Sequence, residues 1–438
     1  MISNYLVMFY DESMALGKKI QVILKKVGPG FITGAADDDP VSVTTYSIAG
    51  TVYGYALSWI NVFLTPAMIV IQEMCGRIGM LTGMGLAGVI KKYRSKELMW
   101  IAITILFVSN TISIGANLGI MAASLNMVFG LPVYLWLLVL AVVVLLMEVL
   151  VPYKKYVVYL KWLGLSLLAY VVTGLMVKQD WSQILRYSFV PSIQLDIKYL
   201  MTMVAFLGAV ISPYLFFWQT SEEVEEEIDE KIIKDFNQDP KVGINRIRLM
   251  RWDTVLGMVF SNIIGFFILI TTAATLHKKG VFAIESIQDV ALALRPIAGN
   301  EAYLLLTLGI VGVGLVSIPV LAGSASYAVA DGLDIKEGLS KKYHQARGFY
   351  RVLILATVLG YLMNLLGISV IKSLYYSAII NGVISVPLIA MVISLADDNK
   401  VVGRYKTTWW GKIIAWITLG LMTLAVLLMF GSILGMKF

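Results

Sequence analysis

The stretch GPGFITGAADDDPVSV, residues 28–43, sets three consecutive carboxylates, Asp37, Asp38 and Asp39, beside Pro40 inside an otherwise apolar segment. Its surroundings are those of a membrane protein. The chain of 438 residues is 58% hydrophobic and only 14% charged, with a mean hydropathy of +0.80, which excludes a soluble globular domain. Each carboxylate near the bilayer centre costs at least ~2.5–3.5 kcal/mol, so three together require a cation or a water-filled cavity to offset them. Cys75, the single cysteine, lies in an apolar run and allows no intramolecular disulfide. At the N-terminus the charges follow the apolar residues and no small-residue cleavage site appears, so the start is expected to be retained.

The net charge of +7 reads as topology rather than as nucleic-acid binding. Apolar runs long enough to cross ~30 Å of hydrocarbon fall near 30–52, 56–80, 98–126, 132–151, 156–177, 199–220, 252–276, 300–329, 349–366, 368–395 and 410–434, predicting eleven transmembrane helices. With the N-terminus cytoplasmic, 27 of the 35 Lys and Arg residues fall on the inside. That bias orients the chain with its C-terminus extracellular, as a multi-pass protein of the plasma (inner) membrane.

Two runs are interrupted in a related way. GAADDDPVS in the first and GAVISPY in the sixth each combine a Gly-Ala pair, polar residues and a proline, Pro40 or Pro213, near mid-membrane. Proline removes a backbone donor and breaks the helix, and irregular backbone at that depth is tolerated where it lines a cavity or is buried in protein. The breaks stand five spans apart. An odd interval reverses the second unit, the sign of an inverted-topology repeat of LeuT type, with two five-helix repeats and an added eleventh helix. The organisation expected is a cytoplasmic segment 1–29, repeats 30–178 and 179–396, an acidic cytoplasmic loop 221–246 within the second, and the last helix in 397–438.

Carboxylate, hydroxyl and carbonyl oxygens at the two breaks suit a hard divalent cation. The histidines, His277 and His344, fall in predicted loops away from them, disfavouring an imidazole zinc site. A sodium-coupled amino-acid carrier of the same fold would present amide groups to a substrate carboxylate, which three aspartates would repel. A channel or a receptor is the more distant alternative. No catalytic arrangement is visible, so the chain is not expected to be an enzyme, to need a resident cofactor, or to require a protein partner.

GPGFITGA and DDDP in the first span, EMCGRIGMLTGMGLAGVI ending the second, SLNMVFGLP leaving the third, LGAVISPY in the sixth and GSASYAVADGL ending the eighth are together, and in this order, similar to the Nramp family of divalent-metal transporters over nearly the full length. The resemblance implies a metal site between spans 1 and 6. The departures from the family pattern bear on selectivity. The usual Asp-Pro-Gly-Asn is here Asp39-Pro40-Val41-Ser42, and Met-Pro-His is Ser212-Pro213-Tyr214. Losing the thioether removes a ligand that favours soft transition metals. With Asp37 and Asp38 added, this suggests the Nramp-related magnesium transporter branch. The family's acidic positions in span 3 fall on Ile114 and Asn117 and its span-6 histidines on Tyr214 and Gln219, so the usual proton carriers are absent.

The expected site comprises Asp39 as main anionic contact, Asp38 and Asp37, the hydroxyls of Ser42 and Ser212, the carbonyls of Ala36 and Ala209, and Tyr214, Gln219 and Asn381 at its edge. The expected function is alternating-access uptake of Mg²⁺, with Mn²⁺ also admitted, uncoupled from protons and driven by concentration and by roughly 4.6 kcal/mol per 100 mV for a divalent ion. The alternative is a proton-coupled Mn²⁺ or Fe²⁺ importer. Three further groups have structural readings: the acidic segment 221–240 as a solvated connector, Glu148 as an interfacial residue pairing with Lys154, and Gln72 with Glu73 as helix-packing residues.

Overall fold

The computed structural model describes residues 28–151 and 165–436, and they are almost entirely helical. Its main helices are α1 (Pro29–Asp37), α2 (Pro40–Tyr53), α3 (Ser58–Thr82), α4 (Leu86–Tyr93), α5 (Lys96–Phe129), α6 (Val133–Leu150), α7 (Leu168–Met176), α8 (Trp181–Phe189), α9 (Ile197–Val210), α10 (Tyr214–Asp229), α11 (Ile244–Thr275), α12 (Ile287–Leu292), α13 (Ala302–Leu333), α14 (Arg347–Met363), α15 (Val370–Ala396) and α16 (Trp409–Ile433). Among the described residues nine helical segments are long and apolar enough to span a bilayer. The first expected span is two half-helices, α1 and α2, and the fifth lies partly outside the described residues.

Both expected breaks are present. α1 stops at Asp37, and Asp38 takes φ −77°, ψ 43°, outside helical geometry. Asp39 then opens α2 as its N-cap, with Oδ1 accepting from Ser42 N at 2.8 Å and Pro40 in the first helical turn, a position where proline's missing N–H costs nothing. In the second segment α9 ends at Val210, Ile211 turns to φ −118°, ψ 77°, and α10 starts behind Pro213. The most apolar window of this segment, Ile197–Asp229, is 94% buried, against 28% for α6, so the broken segment runs through the protein while α6 faces outward.

Small residues let the backbones close on one another. A Cβ at Gly34 of α1 would lie 2.3 Å from the carbonyl of Gly257 in α11, and one at Gly257 would lie 2.4 Å from the Gly30 carbonyl. The glycines of the opening stretch therefore seat α1 directly on α11, the small-residue packing that membrane helices use in place of a hydrophobic drive. Asp253 of α11 completes the attachment by accepting from Gly28 N at 3.0 Å and Phe31 N at 3.2 Å, which satisfies free donors of α1.

The acidic segment departs from expectation. Residues 221–229 are the second half of α10, not a solvated connector, and Glu222, Glu223, Glu225 and Glu227 are each no more than 4% exposed. Helices pack against both sides of α10, which a charge pattern alone does not reveal. Glu148 is likewise buried, not interfacial, and accepts from Thr357 Oγ1 of α14 at 3.3 Å; Lys154 lies outside the described residues. Gln72 is buried in α3, and Glu73 bonds Arg77 at 2.9 Å and Arg251 at 2.7 Å, tying α3 to α11.

Candidate metal site between the broken helices

Asp37, Asp38 and Asp39 sit at the interruption of the first segment, each at most 3% exposed. Asp39 is held from two sides: Oδ1 caps α2, and Oδ2 accepts from Asn117 Nδ2 of α5 at 3.0 Å. Ser317 Oγ of α13 stands 3.4 Å from the same amide nitrogen. Ser261 Oγ of α11 lies 3.1 Å from both Asp37 Oδ2 and Asp38 Oδ1, bridging two carboxylates with one hydroxyl. Asp37 Oδ1 and Asp38 Oδ2 are buried and have no hydrogen-bond partner. No Lys, Arg or His among the described residues donates to these carboxylates. Uncompensated negative charge out of water is strongly unfavourable, and a cation is the direct remedy.

The second break meets the first. Tyr214 Oη donates to the Ala36 carbonyl at 3.1 Å, while Ser42 Oγ and Ser212 Oγ approach the Ala209 carbonyl at 3.4 and 3.3 Å. Eight of the ten expected residues thus gather where the half-helices abut. The other two hydrogen-bond elsewhere. Gln219 joins a chain in which Thr33 Oγ1 donates to its Oε1 at 2.5 Å and its Nε2 donates to Glu223 Oε1 at 2.7 Å; Asn381 Oδ1 accepts from Ser109 of α5. Among the described residues no three His, Cys, Asp or Glu side chains are grouped so as to hold a metal ion by themselves. The available ligands are oxygens of Asp, Ser and the backbone, a hard set.

Sequence reasoning missed Ser261 and Ser317, and treated Asn117 only as a group unable to carry a proton. Ser261 and Asn117 stand 224 and 78 residues from the aspartates they bond. Their one visible signal is polarity within an apolar span.

The family model described as Natural resistance-associated macrophage protein-like matches residues 30–432. The chain belongs to the Nramp family. Among relatives, an Nramp-type protein named divalent metal cation transporter MntH from Caldanaerobacter subterraneus subsp. tengcongensis is 24% identical over 66% of this chain and 67% of its own length. A manganese transporter of Eremococcus coleocola, solved with an aromatic bis-isothiourea compound, superposes with a TM-score of 0.76 at 16% identity, covering 94% of this chain and 87% of that one. MhsT, solved with L-phenylalanine, gives 0.61 at 12% identity over 92% and 98% of the two chains, which places the Nramp architecture among LeuT-type folds. As an Nramp protein the chain is a multi-pass membrane transporter of divalent metal ions and not an enzyme.

Proposed function

We propose that this transporter carries Mg²⁺, admitting Mn²⁺, by alternating access around Asp37–Asp39 and without moving protons. The observation that carries the reading is the chemistry of the surroundings: the aspartates are hydrogen-bonded by Ser42, Asn117 and Ser261, and Ser212 occupies the break of the second segment. Hard oxygen ligands suit Mg²⁺, which keeps several of its waters when bound; Mn²⁺ binds the same donors. The two partner-free oxygens, on Asp37 and Asp38, offer attachment to the ion or its waters, and Asp39 is a fixed third carboxylate. Asn117, at Asp39, is a group that does not titrate.

In this reading the two broken segments belong to inverted five-helix repeats. The bias of Lys and Arg supports a cytoplasmic N-terminus and an extracellular C-terminus, and the proposed site of residence is the plasma (inner) membrane. The likeness to a manganese transporter and to MntH proteins favours a second reading, proton-coupled Mn²⁺ import. Liposomes loaded with a pH dye separate the two. Under the Mg²⁺ reading, externally added Mg²⁺ and Mn²⁺ enter while internal pH stays constant; metal-dependent acidification returns the chain to the proton-coupled type.

A further inference from the structure

Helix α8 belongs to the stretch between the fifth and sixth expected spans, and it is held near both ends at points where a span begins or ends. On its N-terminal side the link from α7 doubles back. Gln179 Nε2 donates to the Gly174 carbonyl in the last turn of α7 at 3.1 Å, and Tyr55 Oη, in the turn before α3, donates to Gln179 Oε1 at 2.9 Å. On its C-terminal side Ser188 Oγ donates at 3.3 Å to the hydroxyl of Ser58, the first residue of α3. The end of α7 and the start of α3 mark one surface of the membrane, so a helix fastened to both runs along that surface and not through it. In the orientation drawn from the Lys and Arg bias this is the extracellular surface.

The nine residues WSQILRYSF divide into three faces at about 100° per residue. Ile184 and Ser188, 1% and 3% exposed, turn inward, and the helix packs on α3. Trp181, Leu185 and Phe189 follow at i, i+4 and i+8, which puts them on one side, and they are 45%, 57% and 61% exposed. Ser182, Gln183 and Arg186, all exposed, make the third face. A protein-facing, an apolar and a polar side together fit a helix lying in a bilayer interface, its aromatic rings at headgroup level and its arginine reaching toward phosphate. In sequence the apolar row is flanked by exposed Leu175 and Met176 at the end of α7 and by exposed Val190 and Ile193 beyond α8.

We propose that α8 is an interfacial helix whose Trp181, Leu185 and Phe189 are seated in the phospholipid of the outer leaflet, and that this seat anchors the outer ends of both broken segments. The occupant is lipid, not a second copy of the chain, because the apolar row continues the exposed end of a span and a polar face runs beside it along the helix, as a boundary between lipid and water requires. The link from α8 then fixes the start of α9. Tyr199 Oη, in the first turn of α9, donates to the Ser192 carbonyl in that link, and Asp196 Oδ1 caps α9 by accepting from Lys198 N and Tyr199 N, each at 3.1 Å. The Tyr199 ring meets the ring of Tyr53, the last residue of α2, edge-on at 5.1 Å. The proposal is independent of which ion is carried and of whether protons move.

The primary test places nitroxides on single cysteines, one at a time from Ser182→Cys to Phe189→Cys, in the full Cys75→Ser chain reconstituted in phospholipid vesicles. Collisions are measured with oxygen, which concentrates in lipid, and with a water-soluble nickel chelate. The oxygen-to-nickel ratio should peak at 185 and 189 and be lowest at 182, 183 and 186, while both reagents should rarely reach 184 and 188. A ratio at 185 and 189 as low as at 186 would put the row in water, and rare collision with both reagents there would mean that protein covers it; either result overturns the seat. Trp181 gives a check without labels. Phospholipid brominated at the headgroup end of its acyl chains should quench wild-type fluorescence by a larger fraction than that of Trp181→Phe, and equal fractions would contradict the proposal. The anchoring role is read by hydrogen–deuterium exchange in the same vesicles. Leu185→Glu should raise exchange of residues 197–203 severalfold while α11 keeps its wild-type protection, and Leu185→Met should leave both unchanged. Wild-type exchange at 197–203 in Leu185→Glu would show that α8 anchors nothing.

Discussion

Asp39 has two roles that substitution can separate. Its carboxylate caps α2 through Ser42 N and is oriented by Asn117, and it supplies one of three buried negative charges. Asparagine caps a helix about as well as aspartate, so Asp39→Asn should preserve thermal stability while abolishing Mg²⁺ uptake; unchanged uptake by the folded variant would place the ion elsewhere. Asn117→Ala keeps the carboxylate but frees its orientation, and a loss of about 10–100-fold in metal affinity is expected by calorimetry, the usual effect of removing a partner behind a ligand. Ser212→Met restores a thioether at the second break and should raise Mn²⁺ uptake relative to Mg²⁺ in competition; an unaltered ratio would mean that residue 212 does not face the ion. The aspartates were legible because carboxylates are conspicuous in apolar sequence, and Ser212 because it stands where the Nramp pattern carries a methionine. Ser261 was not, because serine is common in membrane helices and only the fold brings it 3.1 Å from Asp37 and Asp38.

At the scale of the element, the half-helix α1 depends on its partner. Gly34 meets Gly257 backbone to backbone, where no flexible side chain can give way. Gly34→Ala should push α1 off α11, lower the melting temperature by the equivalent of about 1–3 kcal/mol of overpacking, and weaken Mg²⁺ binding as Ser261 withdraws from Asp37 and Asp38. A variant with wild-type melting and affinity would show that the close approach does not position the site. The breaks of both segments could be read from Pro40 and Pro213, since proline's effect on a helix is local. The length of α10 could not. SEEVEEEIDE carries the charge of a solvated loop, and it becomes a buried helix because α13, α4 and α3 supply Tyr327, glycine contacts at Gly85 and Gly76, and further polar groups that sequence order keeps far apart.

Over the whole molecule, burial grades from the broken segment at 94% to α6 at 28%. The hydropathy runs anticipated this bundle well in type, because crossing a bilayer demands long apolar helices whatever their neighbours; which helix lies at the centre was readable only from the breaks. An uncoupled carrier of a divalent ion should respond to voltage by itself. In liposomes with an imposed inside-negative potential and symmetric pH, Mg²⁺ accumulation should rise with potential, and collapsing the potential should return it to the concentration ratio. Accumulation that follows a pH gradient in place of voltage would contradict this.

The attachment of α1 to α11 also has a consequence for biosynthesis. Ser261 follows Asp37 by 224 residues, so at about 5–20 residues per second a ribosome needs roughly 11–45 s to supply it. For that interval the newly made half-helices lack the hydroxyl that bridges two of their aspartates, and Gly28 and Phe31 lack the capping Asp253. The first segment is then a poor candidate for settled insertion and should stay beside the insertion machinery, or remain hydrated, until α11 emerges. Nascent chains stalled before residue 244 should leave a thiol introduced as Asp38→Cys, in a Cys75→Ser background, open to aqueous alkylation. The same thiol should be shielded once the chain extends past α11, and equal labelling at both lengths would show that the first segment inserts without its partner.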